Sequence, residues 1–261
     1  MVSPARKYDE KMDGHSPQAT QLALPVRLAD EATLANFAPR AALEPLLYAL
    51  KCGAAGDFEP LSFLHGPADG GKSHLLQALC QRRDGAVYLP LCAVHELPPA
   101  PLLAGLERAP LLAFDDLDRV AGRPDWEEAL FELINRARPA CCSLWFAARQ
   151  PPATLPVQLA DLRSRLGGGL TWAVPAPSDE EKIALLMLRA GRLGLKLPES
   201  VAVYLCRRGS RALGDLLACL DRLDEASLRQ QRPITLSLAQ EVLGLGAKLA
   251  APIRQPPGIG A

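Results

Sequence analysis

The stretch of sequence that decides the fold is "LSFLHGPADGGKSHLLQAL", residues 61–79, in which a glycine-rich turn joins an apolar run to a segment of helical character. Its turn has the spacing Gly66-x-x-x-x-Gly71-Lys72-Ser73. In a phosphate-binding loop the glycines let backbone N–H groups point at phosphate oxygens, and the following helix N-terminus favours negative charge. The lysine reaches the β- and γ-phosphates and the serine hydroxyl binds Mg²⁺. An accidental glycine-rich turn is the alternative, but the strand–loop–helix context favours a nucleotide site formed by Gly66, Gly70, Gly71, Lys72, Ser73 and His74.

A second motif supplies the acidic partner that a phosphate-binding loop requires for its magnesium ion. About 40 residues after the loop, "LLAFDDLD" (111–118) places four apolar residues before Asp115 and Asp116. We expect Asp115 to bind Mg²⁺ together with Ser73, and Asp116 to act as a base that polarises an attacking water. An isolated Asp-Asp pair at a strand end is more often a solvated turn, but its spacing from the loop favours the metal site.

Short apolar runs alternate with longer helical segments from about Leu43 to Ala173, which is typical of βαβ units around a parallel sheet. The predicted strands are Leu61–Leu64, Ala86–Leu91, Leu111–Phe114, Ser143–Ala147 and Leu170–Val174. The fold class predicted is therefore α/β with a five-stranded parallel sheet.

The pattern changes after Pro177, where helical periodicity replaces the alternation. Ser178 and Glu181 form a predicted capping box, which begins a helix with one apolar face. A second helix with a row of leucines follows, and a short strand-like segment PITL (233–236) precedes a last helix. The first face carries Ile183, Leu186, Ala190 and Leu193, and the row of leucines comprises Leu213, Leu216, Leu217, Leu220 and Leu223. We expect a small helical domain after the α/β domain.

Composition excludes several classes of protein. Lysine plus arginine equal aspartate plus glutamate at 29 each, which argues against a dedicated DNA-binding surface. No apolar stretch approaches the ~20 residues of a membrane span, and the first 17 residues carry charges of both signs, unlike a signal peptide. The seven cysteines lie mostly in apolar runs, as expected of a cytoplasmic protein. None of the four histidines is paired with a cysteine at ligand spacing, which argues against a zinc site.

A short apolar segment near the start, "QATQLALPVRLADE" (18–31), precedes any regular periodicity. It contains Gln21, Leu22, Leu24, Pro25 and Val26. Pro25 excludes the interior of a helix, so we expect either a strand edge that packs on its own domain or a segment that another protein binds.

These motifs, together with "LADLRSRLGGGLTWAV" (159–174) and "SRALGDLLACLDRL" (210–223), resemble the AAA+ module of the bacterial replication initiator DnaA. The resemblance extends from about Gln21 to Gly246 and is closer still to the Hda-type family of DnaA-homologous regulators. It implies an AAA+ P-loop domain followed by a helical lid. Three features favour the Hda type: the expected absence of DnaA's N-terminal domain, the expected absence of its C-terminal DNA-binding domain, and the segment "QLALPV".

The resemblance also implies roles for particular residues. Arg165 matches the arginine finger that enters a neighbouring molecule's nucleotide site, and Arg163 is a weaker candidate. Arg211 matches the sensor-2 arginine of the lid, and Leu34 and Phe37 match the region that lines the adenine. Gln21, Leu22, Leu24, Pro25 and Val26 match the segment that binds the sliding clamp of DNA polymerase III, the β subunit.

One position departs from the family pattern. Relatives tend to carry an aspartate after the fourth strand, whereas "FAARQPP" (146–152) places Arg149 there. A cation cannot accept a hydrogen bond from the attacking water, so we expect weak hydrolysis, or none, by this chain itself.

The domain organisation expected is a flexible tail (1–17), a clamp-binding segment (18–30), the AAA+ domain (31–176), the lid (177–247) and a disordered tail (248–261). The resemblance implies a cytoplasmic, homodimeric regulator that binds ADP or ATP with Mg²⁺ and meets DNA through the clamp. It would stimulate ATP hydrolysis by DnaA in trans. Two alternatives are a DnaA-like helicase loader or DNA-remodelling ATPase, and an adaptor that only docks partners on the clamp.

Overall fold

The computed structural model describes residues 32–38, 40–55 and 61–244. The α/β part of this range runs α1 (Glu44–Ala55), β1 (Leu61–His65), α2 (Lys72–Gln81), β2 (Val87–Pro90), α3 (Leu91–Val94), α4 (Pro99–Leu103), β3 (Leu111–Asp115), α5 (Pro124–Ala137), β4 (Ser143–Ala148), α6 (Ala160–Gly167) and β5 (Leu170–Ala173). The helical part runs α7 (Asp179–Arg192), α8 (Glu199–Arg208), α9 (Leu213–Gln230) and α10 (Leu236–Val242). Short 3₁₀ turns lie at Leu34–Asn36, Ala41–Leu43, Ala68–Gly70, Leu106–Arg108 and Leu117–Arg119.

The five strands form one parallel sheet in the order β2-β3-β4-β1-β5. This confirms the predicted fold class, and each strand lies within two residues of its predicted bounds. Because all strands are parallel, their carboxyl ends meet at one edge of the sheet, where ligands bind in such folds. The loops after β1, β3 and β4 therefore converge there.

The sheet is buried on both faces, which explains why its strands are continuous apolar runs rather than alternating ones. All residues of β3 and β4 are buried. Successive side chains point to opposite faces, so Leu112 and Phe114 pack with α5 and α6 while Leu111 and Ala113 pack with α1 and α2. The α/β part is thus a three-layer sandwich.

The helical part has a separate core. Leu186 and Ala190 of α7 pack with Leu216, Leu220 and Leu223 of α9, so the centres of both predicted helix faces are buried. Leu193, predicted on the first face, is exposed instead, because it follows the last residue of α7. The capping box is also confirmed, because the Ser178 side chain accepts from the backbone N–H of Glu181 and the Glu181 carboxylate accepts from that of Ser178.

The strand-like segment PITL (233–236) was wrongly predicted. Residues 233–235 form no strand within the described chain, and Leu236 begins α10. Ile234 is buried in the helical core, so its apolar character serves packing, and the Thr235 side chain caps α10 by accepting from the N–H of Leu238.

Three of the expected segments lie outside the described residues: the tail 1–17, the clamp-binding segment 18–30 and the tail 248–261. Among the described residues, no helix is long and apolar enough to cross a membrane.

A buried carboxylate, Glu127 of α5, fixes the start of α6. It is 2% exposed and accepts hydrogen bonds from the backbone N–H groups of Gly122 (2.6 Å), Gln158 (3.0 Å) and Leu159 (2.7 Å). These donors lie in two loops distant in sequence, and the second loop leads directly into α6. Glu127 therefore positions the helix that carries Arg165.

We expect Glu127→Gln to lower the free energy of unfolding by about 1–3 kcal/mol, because the amide NH₂ replaces an oxygen that accepts from buried N–H groups. Urea unfolding followed by circular dichroism measures this. The matched control is Glu128→Gln on the exposed side of the same helix, which should change stability by less than about 0.5 kcal/mol. Equal effects of the two substitutions would show that Glu127 does not hold the loops.

Candidate nucleotide-binding site

The predicted phosphate-binding loop connects β1 to α2, and its shape depends on a contact with the end of β5. The carbonyl oxygen of Val174 lies where a side chain on Gly66 or Gly70 would sit: an added Cβ would be 2.1 Å from it at Gly66 and 2.5 Å at Gly70. The N–H of Val174 donates to the carbonyl of His65 at 2.7 Å, which holds the two segments together. Gly71 has φ +94°, a conformation that favours glycine.

Lys72 begins α2 and folds back against the loop. Its ammonium Nζ donates to the carbonyl oxygens of Gly66 and Pro67, each at 2.7 Å, and the residue is 6% exposed. Burial lowers the pKa of Lys72, and the negative charge of Asp115 opposes that shift. The loop therefore holds a desolvated cation at the position predicted for phosphate binding.

Asp115, the last residue of β3, lies at the same edge of the sheet. Its carboxylate accepts from the hydroxyl of Tyr88 at 2.8 Å and from the N–H of Asp116 at 3.0 Å. Burial raises the pKa of Asp115, while hydrogen bonds from Ser73 and Tyr88 oppose the shift. Asp116 has φ +57°, so the chain turns sharply after the buried carboxylate and leaves Asp116 half-buried beside it.

The pair formed by Ser73 and Asp115 fits a magnesium ion. A hydroxyl and a carboxylate that are already in contact offer two oxygen ligands, and Mg²⁺ typically takes one or two protein ligands, with phosphates and water completing its shell. No group of three or more His, Cys, Asp or Glu residues that could enclose a metal occurs among the described residues. When bound, the ion would neutralise phosphate charge, with Ser73 and Asp115 as its protein ligands.

A cavity of about 410 Å³ lies between the phosphate loop and the helical part, a size that suits a small ligand. Its walls are mostly apolar, with three arginines and one acid. They comprise Ala32, Asn36, Phe37, Ala38, Arg40, Asp69, Gly70, Gly71, His74, Pro177, Leu185, Leu188, Arg189, Arg192, Leu193, Leu213 and Leu217. Of the two residues matched to the adenine region, Phe37 lines this cavity and Leu34 packs in the core behind it.

His74 connects the loop helix to the segment that carries Phe37. Its Nε2 lies 2.8 Å from the carbonyl oxygen of Thr33, and since a carbonyl only accepts, Nε2 carries the proton. Its ring centroid lies 5.7 Å from that of Phe37. Burial lowers the pKa of His74, and the hydrogen bond to the Thr33 carbonyl opposes that shift.

Arg40 links three parts of the site, and no sequence pattern predicted it. Its guanidinium donates to the carbonyls of Gly70 (3.2 Å) and Pro175 (2.6 Å) and pairs with the Glu181 carboxylate at 3.3 Å. At 4% exposure it is a buried charge that connects the phosphate loop, the end of the sheet and the first helix of the lid.

Arg165 lies at the other edge of the sheet. It is exposed in the last turn of α6 and lines a cavity of about 480 Å³ that also includes Leu61, the first residue of β1, together with Arg138 and Ser164. Within the described part of the chain, its guanidinium makes no ion pair or hydrogen bond. Arg163, the weaker candidate, instead donates to the carbonyl of Val157.

Arg211 is exposed in the loop before α9 and does not line the 410 Å³ cavity. Its carbonyl accepts from Lys182 at 2.9 Å, while Leu213, two residues later, does line the cavity.

Arg189 and Arg192 of α7 are the lid arginines in the cavity wall, and neither was predicted. Tyr88 was missed as well, since its partner Asp115 lies 27 residues away.

We expect Gly70→Ala to lower the free energy of unfolding by about 1–3 kcal/mol, because its Cβ meets a backbone oxygen rather than a flexible side chain. Urea unfolding measures the effect. The matched control is Gly191→Ala in α7, where an added Cβ meets nothing within 4 Å, so alanine should stabilise by about 0.5–1 kcal/mol. A neutral result for Gly70→Ala would mean that Val174 does not shape the loop.

Comparisons with known proteins agree with this geometry. The family model described as "Hda, lid domain" matches residues 179–243. An uncharacterised protein of Haemophilus influenzae is 35% identical over 230 residues, which cover 86% of this chain and 99% of that protein. Domain III of DnaA from Thermotoga maritima superposes with a TM-score of 0.71 at 20% identity, over 84% of this chain and 98% of that one.

AMPPCP-bound DnaA from Aquifex aeolicus has a TM-score of 0.64 at 20% identity, over 76% of this chain and 66% of that one. The identities to the solved structures are low and show the fold alone. The lid model and the Haemophilus influenzae relative, by contrast, match this chain in sequence. The chain therefore belongs to the Hda-type family of DnaA-homologous AAA+ replication regulators.

Proposed function

We propose that this protein is a negative regulator of replication initiation which, with nucleotide bound and with the DNA-loaded sliding clamp, stimulates ATP hydrolysis by DnaA in trans. The observation that carries the proposal is the position of Arg165. Its guanidinium is exposed, is free of intramolecular partners among the described residues, and lies at the amino edge of the sheet.

That position separates Arg165 from the chain's own phosphate loop. Leu61, which lines the same cavity as Arg165, begins β1, and the loop begins after His65 at the other end of the strand. A five-residue strand spans roughly 15 Å, which a single side chain does not cross. The guanidinium is therefore suited to another molecule's triphosphate, where an arginine supplied in trans stabilises transition-state charge.

The chain's own pocket has a different role in this proposal. Lys72 binds the phosphates of ADP or ATP, Ser73 and Asp115 bind Mg²⁺, and Phe37 packs near the base. Arg211 completes the site from the lid. Its guanidinium makes no hydrogen bond or ion pair with a described residue, and the residue lies two positions before the cavity-lining Leu213. The bound nucleotide joins the sheet to the lid. The relation to AMPPCP-bound DnaA supports such a pocket.

The same pocket contributes little hydrolysis of its own. Asp116 remains the candidate base, but Arg149 replaces the acid expected beside it. The catalytic turnover belongs to the partner, DnaA. We also propose a homodimer as the resting state, which light scattering measures directly.

The clamp contact is assigned to Gln21, Leu22, Leu24, Pro25 and Val26. The glutamine amide can hydrogen-bond at a pocket rim while the apolar side chains enter a cleft, and Pro25 reduces the entropy lost on ordering. Tethering at the clamp raises the effective concentration at which the protein meets DnaA near DNA.

We expect Arg165→Ala to abolish the stimulation of DnaA while leaving clamp binding intact. ADP production is followed from ATP-bound DnaA mixed with this protein and clamp loaded on DNA. An arginine supplied in trans accelerates hydrolysis by ~10³–10⁵ in other systems, so the rate should fall to that of DnaA alone. The matched control is Arg108→Ala, an exposed arginine at the same edge of the sheet before β3, which should stimulate like the unchanged protein.

Two results would favour the alternatives. Full stimulation by Arg165→Ala would indicate an adaptor that only docks partners. Steady-state ATP hydrolysis by this protein alone, increased by single-stranded DNA, would indicate a helicase loader or DNA-remodelling ATPase. The neutral net charge argues against the latter.

The combined change of Gln21, Leu24 and Pro25 to alanine should remove binding to the clamp without unfolding the protein. Pull-down on DNA-loaded clamp measures the binding, and circular dichroism provides the folding control. Retention of the clamp by this variant would show that the segment is not the binding site, and it would leave the role of Arg165 unaffected.

A further inference from the structure

A tyrosine on the neighbouring strand reaches the carboxylate that fits a magnesium ion. Tyr88 of β2 is in register with Ala113 of β3, two residues before Asp115. Alternate residues of a strand share a face, so Tyr88 and Asp115 lie on the same side of the sheet, about 7 Å apart along the strand direction. The tyrosine ring covers this separation, and its hydroxyl donates to Asp115 Oδ2 at 2.8 Å.

Helix α2 contacts both members of this pair. The Gln77 side chain hydrogen-bonds the phenol oxygen of Tyr88, and the Ser73 hydroxyl hydrogen-bonds the Asp115 carboxylate. A carboxylate only accepts, so the hydroxyl hydrogen of Tyr88 is committed to Asp115, and the Gln77 amide is the donor to Tyr88. The direction of the chain of hydrogen bonds is therefore fixed, from Gln77 through Tyr88 to Asp115.

Asp115 is a buried charge whose donors are all neutral. It is 2% exposed, and it accepts from the hydroxyls of Tyr88 and Ser73 and from the N–H of Asp116, whose own negative charge lies nearby. The ammonium of Lys72 feels the charge of Asp115 but donates to the loop carbonyls instead. Buried charges in proteins are paired or bind metal ions, so this arrangement favours a cation beside Asp115.

The hydrogen bonds leave room for that cation. A hydroxyl has one hydrogen to donate and two lone pairs, so Ser73 can donate to Asp115 and still offer its oxygen to a metal. Tyr88 approaches the carboxylate from β2, whereas Ser73 approaches it from the start of α2. The tyrosine thus holds the carboxylate in place without using the oxygen of Ser73.

We propose that Tyr88 is a positioning residue for the magnesium ion: it holds the Asp115 carboxylate beside Ser73 and so sets how strongly Mg²⁺ binds together with the nucleotide. The inference rests on the nucleotide binding put forward under Proposed function, and it adds a residue that acts through Asp115. The physical reason is preorganisation. An unrestrained aspartate loses rotational freedom when it binds an ion, and groups that hydrogen-bond a metal-binding carboxylate raise metal affinity by orienting it.

The test measures the affinity for the non-hydrolysable ATP analogue AMPPCP by isothermal titration calorimetry, once with Mg²⁺ and once with EDTA. In Tyr88→Phe the affinity with Mg²⁺ should fall about tenfold, while the affinity with EDTA should change by less than about twofold. Gln77→Leu keeps the tyrosine and removes the amide that orients it, so the affinity with Mg²⁺ should fall by about threefold. In the Asp115→Asn background, Tyr88→Phe should cause no further loss, because the residue on which it acts has changed.

The matched control is Tyr204→Phe, which removes the same hydroxyl from a half-buried tyrosine packed against the helical core. The Tyr204 hydroxyl makes no hydrogen bond within the described part of the chain, so both affinities should stay unchanged. Circular dichroism verifies the fold of each variant.

Equal losses with Mg²⁺ and with EDTA in Tyr88→Phe would show a merely structural role, and no loss in either condition would show no role; both results would overturn the inference. A further loss in the Asp115→Asn background would also contradict it, since Tyr88 would then act by another route. If the unchanged protein bound no AMPPCP in either condition, the proposed nucleotide site would itself be wrong. That failure is distinct from one in which the unchanged protein binds AMPPCP and Tyr88→Phe binds it equally well.

Discussion

The rest of the site depends on one close approach, in which the carbonyl oxygen of Val174 occupies the space that side chains on Gly66 and Gly70 would need. Two parts of the chain more than 100 residues apart are thereby held in contact, and the phosphate loop takes its curvature from the end of β5. The same chain end leads through Pro175 to the lid. A single backbone contact therefore shapes the phosphate loop a few residues before the lid begins at Asp179.

Buried charge reinforces that contact. Arg40 donates to the carbonyls of Gly70 and Pro175 and pairs with Glu181, whose carboxylate also caps α7. Removing one partner of such a pair leaves an uncompensated charge, which is far more costly than the pair is stabilising. Arg40 therefore holds the first helix of the lid against the phosphate loop and the end of the sheet.

The two edges of the sheet divide the proposed activities. The carboxyl edge brings together Lys72 and Asp115, to which the proposed function gives the chain's own nucleotide. The amino edge presents Arg165, oriented by α6 and indirectly by Glu127, which accepts from the N–H groups just before that helix. Parallel strands enforce this separation because every loop that follows a strand lies at one edge, and every loop that precedes a strand lies at the other.

Much of the molecule was determined by sequence alone. Apolar runs, glycine spacing and helical periodicity predicted the five strands, the phosphate loop, the residue pair Ser73 and Asp115, and the lid core, because these signals are local in the chain. Prediction failed where the structure depends on contacts between residues distant in the chain. PITL was assigned as a strand because the apolar pattern around the buried Ile234 resembles that of a strand. Only the tertiary structure brought Arg40, Tyr88 and Glu127 to their partners, since hydrogen bonds between residues about 30 to 140 positions apart leave no periodic trace. The tertiary structure also decided that the backbone N–H of Arg149 donates to Asp118. This hydrogen bond depends on the relative position of two loops.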